Sequence, residues 1–236
     1  GASKGMGKAM ALGLAEHGSH VVISSRKQDA CEETAAEINA AVGAERAIAI
    51  ACNIGYKDQL QHLVDETRSR LGPIDTLIAN AGVNPFYGPM SQIPDEAFDK
   101  TTKSNLRAHH WLCQMVAPDM LAKKRGAIMI TASVGAFGPS DTLGTYNISK
   151  MADIALVRNL AMEWGPEGVR VNALCPGLIR TDFAKALWDN PEAAKRVTEQ
   201  TPLRRFGEAE DFKGIAVFVA SDASAYVTGQ ALTVCG

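Results

Sequence analysis

Short apolar runs alternate with longer amphipathic segments along almost the whole chain, and this alternation limits the possible folds most. The apolar runs are nearly continuous, which indicates strands buried on both faces, as in a parallel sheet covered by helices. The repeated strand–helix–strand units predict a doubly wound α/β fold with helices on both faces of a parallel sheet, in three layers. We predict strands over 20–24, 46–51, 74–79, 125–131, 169–174 and 230–234, and helices over 6–17, 28–41, 57–71, 95–122 (one or two helices), 145–164 and 208–221.

The chain has no internal repeat, low-complexity segment or linker, so we interpret residues 1–236 as one domain. A glycine-rich loop opens the chain at Gly1, although a central strand normally delivers such a loop. We therefore expect an apolar strand of roughly 6–10 residues to precede Gly1 in the natural protein.

Composition argues against several classes of protein. The formal net charge is −2, which favours neither nucleic acid nor an anionic membrane surface as a partner. No apolar run approaches the ~18 residues needed to cross a bilayer, so we expect no membrane association. The five cysteines lack metal-binding spacing, and His109 and His110 are adjacent, so we expect no metal site. A cytoplasmic protein in a reducing compartment is the simplest interpretation.

Glycines with the spacing G-x-x-x-G-x-G stand directly before the first predicted helix. Glycine permits a tight turn, and the N–H groups at the positive end of a helix favour a pyrophosphate. Alone, the loop is equally a turn that caps an ordinary helix. As a phosphate-binding loop it would consist of Gly1, Ser3, Lys4, Gly5, Met6 and Gly7.

The residues that follow the predicted strand 20–24 bear on the choice of dinucleotide. An acidic residue here would bind the ribose 2′-hydroxyl of NAD, and the sequence Ser25-Arg26-Lys27 has none. Arg26 suits a 2′-phosphate, which Lys4 could approach from the first loop. We therefore favour NADP(H) as the cofactor, with NAD(H) as the alternative. In the other interpretation, Arg26 and Lys27 only face water at the end of a strand and bind no cofactor.

Tyr146 and Lys150 are four residues apart, which places them on one face of the predicted helix. A neighbouring ammonium favours the phenolate, so we expect it to lower the tyrosine pKa from its usual value of about 10. Such a pair can act as a general acid/base, although the same spacing is common by chance.

With these features and several further motifs, the chain resembles the short-chain dehydrogenase/reductase family over its full length. The resemblance implies a Rossmann sheet and a hydride transfer between NAD(P)(H) and a carbonyl or secondary alcohol. The residues that match the family's motifs are the glycines of the first loop, Asn80-Ala81-Gly82, Asn105, Ser133, Tyr146, Lys150, Pro176-Gly177 and Thr181.

The resemblance also implies roles for these residues. Tyr146 would exchange a proton with the substrate oxygen, and Lys150 would lower the Tyr146 pKa and hold the nicotinamide ribose. Ser133 would hydrogen-bond the substrate oxygen, and Asn105 would hold a water in a proton relay to Lys150. The expected cofactor-binding residues are Gly1, Ser3, Lys4, Gly5, Met6, Gly7, Ser25, Arg26, Asn53, Ile54, Asn80, Ala81, Gly82, Tyr146, Lys150, Pro176, Gly177, Ile179 and Thr181.

The chain departs from the family's pattern in three places. Asn53-Ile54 stands after the predicted strand 46–51, where the family usually has Asp-Val. Ala79 replaces the first asparagine of the family's Asn-Asn-Ala-Gly motif, and Cys235 replaces an acid in the last strand. Asn53 keeps an acceptor oxygen, so we expect binding to survive. None of the three positions carries the chemistry.

Loops at the carboxyl ends of the strands are expected to form the substrate pocket. Its candidate lining residues are mostly apolar, which favours a neutral, moderately hydrophobic ketone or aldehyde: Asn84, Phe86, Val134, Phe137, Leu143 and Trp188. Residues 182–205, interrupted by Pro191 and Pro202, are interpreted as a mobile lid, or alternatively as a static pair of surface helices. Thr181 could also cap a helix that carries Phe183 and Leu187.

The resemblance implies a homotetramer built on the helices at 95–122 and 145–164. Two other functions were weighed: an NAD-dependent alcohol dehydrogenase of the same family, and a dinucleotide-binding regulatory protein that has lost the reaction. The intact set of Asn105, Ser133, Tyr146 and Lys150 argues against the regulatory protein. Enoyl reductases of the superfamily space the tyrosine and lysine more widely than here.

Overall fold

The computed structural model describes residues 1–181 and 188–236 of the chain. In this part of the chain every pair of neighbouring strands is parallel, as predicted. The strands are β1 (Val21–Ile23), β2 (Ala47–Ala49), β3 (Thr76–Ala79), β4 (Gly126–Thr131), β5 (Val169–Pro176) and β6 (Ala231–Val234). Each lies on a predicted apolar run, and β5 continues for two residues beyond the expected end.

The strands form two hydrogen-bonded groups, one on each side of the N-terminal loop. One pairs β1 with β2, and the other has the order β3-β4-β5-β6. The N-terminal loop lies between the carboxyl ends of β1 and β3, because Ala2 N–H donates to Ser24 O at 2.9 Å and Asn80 donates to Gly1 O at 2.9 Å. The strand expected before Gly1 stays a prediction.

Helices cover both faces of the sheet, which gives the predicted three layers. Ile128 and Ile130 of β4 pack on one face with α3, α5 and α6, whereas Met129 between them packs on the other face with Met10 and Phe212. The helices are α1 (Gly5–Glu16), α2 (Gln28–Val42), α3 (Lys57–Leu71), α4 (Asp95–Thr102), α5 (Ala108–Lys123), α6 (Gly144–Trp164), α7 (Pro191–Gln200) and α8 (Lys213–Ala220).

Two helical predictions differ in detail from the structure. The segment predicted over 95–122 is α4 and α5 joined by a π-helical turn over Lys103–Arg107. Single π turns inside helices are frequent at functional sites. The segment predicted over 208–221 begins as a 3-10 turn, Ala209–Phe212, before α8. The Asp211 carboxylate accepts the Glu208 N–H there at 2.8 Å and stabilises the tighter first turn.

Within the described residues, no helix is both long enough and apolar enough to span a bilayer. The same part of the chain contains no group of three or more histidine, cysteine or acidic side chains arranged to hold a metal ion. Its cysteines are unpaired, four of them buried and Cys235 exposed.

Candidate active site

The glycine loop is a close-packed turn between α1 and the carboxyl ends of β1 and β3. Gly5 adopts a left-handed conformation, with φ of +51°. A β-carbon on Gly7 would lie 2.0 Å from Gly1 O and 2.8 Å from the Asn80 amide nitrogen, so only glycine fits there. Thr34 of α2 holds the loop by donating to Ser3 O at 3.1 Å. The loop therefore presents its backbone at the N-terminus of α1.

Asn80 ties this loop to the centre of the sheet. Its amide donates to Gly1 O at 2.9 Å, and its carbonyl oxygen accepts from the Thr131 hydroxyl at 3.1 Å. Thr131 ends β4, so one side chain joins the loop, β3 and β4.

The predicted adenosine-side residues follow β1 and β2. Ser25 hydrogen-bonds the Cys31 thiol at 3.1 Å, and Arg26 and Lys4 are exposed. Asn53 is partly buried, and its side-chain oxygen accepts the Gly55 N–H at 3.1 Å. Ile54 packs on the core beside α3 and α5. All of these residues lie at the carboxyl edge of the sheet, where the glycine loop also lies.

Tyr146 and Ser133 meet at the same edge. Ser133 follows β4 and precedes a 3-10 turn, and its hydroxyl accepts the Gly135 N–H at 3.1 Å. Tyr146 stands in the first turn of α6 and hydrogen-bonds the Ser133 side chain. Two predicted catalytic hydroxyl groups, 13 residues apart in the sequence, are thus in direct contact.

Lys150 reaches the site from the next turn of α6. Its ammonium donates to Thr131 O at 2.7 Å and lies 5.9 Å from the centre of the Tyr146 ring. It also lies against the backbone of Gly82, where a β-carbon would stand 3.5 Å from Lys150 Nζ. The ammonium is 3.1 Å from Asp153 Oδ2, and both side chains are buried.

The expected depression of the Tyr146 pKa is wrong for this structure. Burial raises the pKa of Tyr146 to about 12; the hydrogen bond from Ser133 lowers it, and the charge of Asp153 raises it further. The physical reason is that the phenol is buried, while the Lys150 ammonium that was expected to favour the phenolate is itself paired with Asp153.

Asn105 lies in the π turn and is completely buried. Its side-chain oxygen accepts the Val83 N–H at 2.8 Å, and its amide donates to Val83 O at 2.9 Å and to Ser149 Oγ at 3.0 Å. The side chain therefore fastens the segment after β3 to α6 instead of facing solvent. The water relay expected of Asn105 stays a prediction.

The segment after β5 closes over the glycine loop. Gly177 packs against Cys235, where a β-carbon would lie 2.8 Å from its Cα, and Ile179 is buried. A β-carbon on Gly5 would meet the Thr181 methyl at 3.1 Å, so Thr181 lies beside the loop. Pro176 ends β5 next to these residues. The expected helix with Phe183 and Leu187, and residues 182–187 of the expected lid, lie outside the described residues; α7 forms the later part.

The candidate substrate residues lie on the loops that follow the strands and in the segment after Thr181. Gly88 N–H donates to Thr142 O at 3.0 Å, which joins the loop of Asn84 and Phe86 to the loop that leads to Leu143. Phe137 is 53% exposed, and Trp188 donates its indole N–H to Thr181 O at 2.9 Å. Val134 begins the turn after Ser133.

Sequence reasoning missed two buried charged partners, His109 and Asp153. His109 Nδ1 is 2.8 Å from Asp153 Oδ1, and His109 Nε2 is 2.9 Å from Ala81 O. Two signals were available: Asp153 follows Lys150 by three residues, and His109 follows Asn105 by four, so each shares a helix face with a predicted site residue.

A family model described as enoyl-(acyl carrier protein) reductase matches residues 1–236. The chain is 38% identical to rabbit (Oryctolagus cuniculus) dehydrogenase/reductase SDR family member 4, over 98% of this chain and 88% of the relative.

Two similar solved structures carry ligands. A 7α-hydroxysteroid dehydrogenase complexed with NADH and 7-oxo glycochenodeoxycholic acid is 35% identical, with a TM-score of 0.94, covering 99% of this chain and 90% of the other. A gluconate 5-dehydrogenase from Burkholderia cenocepacia J2315, in complex with NADP and tartrate, is 30% identical, with a TM-score of 0.94. The match covers 100% of this chain and 91% of the other.

The sequence match, the parallel sheet and the shared architecture agree with one another. The chain therefore belongs to the short-chain dehydrogenase/reductase family and is an oxidoreductase that acts on CH–OH or carbonyl groups.

Proposed function

We propose that this oxidoreductase reduces neutral, moderately hydrophobic ketones or aldehydes with NADPH, with Tyr146 as the general acid. The observation that carries the proposal is the contact of Tyr146 with Ser133, one helical turn from Lys150. The reverse reaction is the oxidation of a secondary alcohol, with Tyr146 as the base.

The dinucleotide supplies the hydride when it is bound. The residues present fit such a group, because the glycine loop has no room for a β-carbon at Gly7 and exposes backbone at the N-terminus of α1. Gly1, Ser3, Lys4, Gly5, Met6 and Gly7 would hold its phosphates, and Asn53, Ile54, Asn80, Ala81 and Gly82 would line the next part of the site. Pro176, Gly177, Ile179 and Thr181 would cover the nicotinamide end.

The chemistry of the protein residues follows from their contacts. Tyr146 donates the phenolic proton to the substrate oxygen as that oxygen becomes an alkoxide. Ser133 donates a hydrogen bond to the same oxygen and stabilises its growing charge. A phenol of high pKa remains protonated at neutral pH, so the burial of Tyr146 keeps it in the form that carbonyl reduction requires.

NADPH is favoured because Ser25 and Arg26 follow β1 where a carboxylate would otherwise accept from the ribose 2′-hydroxyl. Arg26 is exposed, and among the described residues it forms no ion pair with an acidic side chain. A guanidinium suits a 2′-phosphate through two parallel hydrogen bonds. An NAD-dependent alcohol dehydrogenase is the second candidate, since a relative of similar structure is complexed with NADH.

Parallel titrations with NADPH and NADH test the cofactor choice, with energy transfer from the three tryptophans to the nicotinamide as the signal. We expect NADPH to bind at least ~10-fold tighter, about 1.4 kcal/mol, and Arg26→Ala to lose that margin. As a control, Arg70→Ala removes a charge from the last turn of α3, and this variant should keep the preference for NADPH. Equal or tighter NADH binding would favour the NAD-dependent alternative.

Acetophenone and dihydroxyacetone phosphate test the substrate class. The candidate lining residues Phe86, Phe137, Leu143 and Trp188 are apolar, so we expect a higher kcat/KM for acetophenone. Faster turnover of the phosphorylated ketone would contradict a neutral, hydrophobic substrate.

A further inference from the structure

A chain of buried hydrogen bonds runs from the segment after β3 to the ammonium of Lys150. Ala81 O faces His109 Nε2 at 2.9 Å, His109 Nδ1 faces Asp153 Oδ1 at 2.8 Å, and Asp153 Oδ2 faces Lys150 Nζ at 3.1 Å. His109, Asp153 and Lys150 are 1%, 0% and 3% exposed. Water therefore cannot replace any of these partners.

The acceptors around His109 decide its protonation. A neutral imidazole has one N–H and one lone pair, so it can donate to only one neighbour. A backbone carbonyl has no hydrogen to give, and Asp153 already accepts from Lys150. Both ring nitrogens face acceptors, and a neutral ring would leave one lone pair against an oxygen. The geometry therefore favours a ring that carries both protons.

The net charge of the network depends on that second proton. Lys150 and Asp153 alone sum to zero, whereas an imidazolium at His109 brings the buried network to +1. Tyr146 precedes Asp153 by seven residues, which is about 10 Å along an α-helix, so the phenol responds to this total charge. The charge of Asp153 by itself opposes ionisation of Tyr146.

We propose that His109 and Asp153 are positioning residues: Asp153 holds the Lys150 ammonium, and a His109 ring that donates from both nitrogens to Asp153 and Ala81 restores the positive charge that Asp153 removes from the site. This inference rests on the proposed role of Tyr146. The bond to Ala81 also fastens the Asn80–Gly82 segment to the same charge network.

The surrounding titratable groups leave this balance undisturbed. Cys113 lies one turn after His109 on α5, and burial raises the pKa of its thiol to about 12. Cys175 of β5 lies near Lys150 and Asp153, and burial raises the pKa of its thiol to about 11. Both thiols are neutral at physiological pH, so neither adds a charge beside Lys150, Asp153 and His109.

Nitrogen-15 NMR of the histidine rings tests the proposal directly and without cofactor or substrate. His109→Gln identifies the His109 signals among the five histidines. We expect two protonated ring nitrogens at about pH 8, where a free histidine is neutral. A neutral His109 ring at that pH would overturn the proposal, and this result does not depend on whether Tyr146 is the acid.

The pH profile for oxidation of 1-phenylethanol with NADP⁺ provides the second measurement. This direction needs the Tyr146 phenolate, so the rate rises with pH. His109→Gln keeps a donor for Ala81 but removes the positive charge, and we expect the rising limb to move to higher pH by about 1 unit. Adding Asp153→Asn removes the opposing charge, and the limb should return toward that of the wild type.

A structural role for His109 predicts a different pattern. In that case the double variant, His109→Gln with Asp153→Asn, would damage the site at least as much as His109→Gln alone. The rising limb of the pH profile would then not return toward its wild-type position. Cys113→Ala is the matched control, because it opens a small cavity beside the same helix without a change in charge. It should lower the free energy of unfolding but leave the rising limb of the pH profile unmoved. An unmoved limb in His109→Gln sinks the proposal, whereas full activity of Tyr146→Phe would sink the proposed function instead.

Discussion

At the scale of single residues, Tyr146 shows how burial and a buried charge set the protonation of the proposed general acid. The contact with Ser133 stabilises the phenolate, but desolvation and Asp153 together exceed it, and the pKa is about 12. The free protein thus holds a phenol rather than a phenolate. A protonated phenol can donate its proton to a carbonyl oxygen. Oxidation of an alcohol instead needs the phenolate as the base, so we expect its rate to rise at alkaline pH.

Tyr146→Phe removes the proposed proton donor and leaves the Ser133 hydroxyl in place. We expect carbonyl reduction to fall by about 10²–10⁴-fold, while binding of the dinucleotide remains. In wild type, reduction should persist through neutral pH and fade only as the pH approaches the raised pKa, because the acid must be protonated. Steady-state rates from about pH 6 to 10 check the trend.

Tyr226→Phe is the control for this substitution, since Tyr226 is fully exposed. It should leave the rates unchanged. Substantial activity in Tyr146→Phe, with normal rates in the control, would assign proton transfer to another group.

At the scale of elements, the packing of the glycine loop against β3 allows no side chain at Gly7. A methyl group there would lie 2.0 Å from a backbone oxygen, which cannot move without shifting the loop. Gly7→Ala should therefore weaken dinucleotide binding by at least ~10-fold and lower the free energy of unfolding by about 1–3 kcal/mol. Fluorescence titration and urea unfolding measure the two effects.

Gly214→Ala supplies the matched comparison in α8. A β-carbon on Gly214 meets nothing within 4 Å, so alanine should stabilise the helix by about 0.5–1 kcal/mol and leave binding unchanged. Normal binding by Gly7→Ala would show that the loop does not need its close approach to Gly1.

A second element-scale contact joins α3 to α5. Asp119 accepts from Arg68 Nε at 2.9 Å and from Ile74 N–H at 2.9 Å. Burial raises the pKa of Asp119, but the hydrogen bonds from Arg68 and Ile74 outweigh it and hold the pKa below its usual range. The carboxylate therefore stabilises the fold above the unfolded pKa of about 4, and this contribution is lost as the pH falls through the lowered value.

Asp119→Asn should lower the free energy of unfolding by about 1–3 kcal/mol at neutral pH. The difference from wild type should shrink in acid, because the wild-type carboxylate is then protonated. Urea unfolding at about pH 7 and pH 3 measures it, with Asp65→Asn, an exposed partner of the same arginine, as the control. A difference that does not depend on pH would contradict the charge-based explanation.

At the scale of the whole molecule, α4 and α6 expose apolar side chains that their own sheet does not cover. Met162 is 83% exposed, Ile148 51% and Met151 42%, and Phe98 of α4 is 42% exposed. Ile148, Met151 and Met162 recur on one face of α6 at helical spacing. Such a surface is typical of a subunit interface and supports the homotetramer that we propose from the resemblance.

Met151→Lys combined with Met162→Lys places two charges on this face. We expect the assembly to dissociate, because burying unpaired ammonium groups in an interface is costly. Light scattering after size-exclusion chromatography reports the mass. Ala41→Lys, on the exposed side of α2, should leave the mass unchanged; a monomeric wild type would refute the tetramer.

Much of the architecture could be predicted from local patterns. The strand β4 is a continuous apolar run, and Tyr146 and Lys150 share a helix face, because backbone geometry sets these periods over a few residues. The π turn at Lys103–Arg107 and the 3-10 start before α8 did not follow from the pattern. They depend on which backbone groups find partners after the elements have packed.

The order of residues along the chain was enough to specify the parallel strands, the glycine loop and the functional groups of the site. Only packing decided the charge that Tyr146 experiences. His109 and Asp153 are 44 residues apart, and they meet because α5 and α6 pack beside β4. Local spacing selects which side chains share a face, but desolvation and charge act through space, so the protonation of this site is a property of the folded molecule.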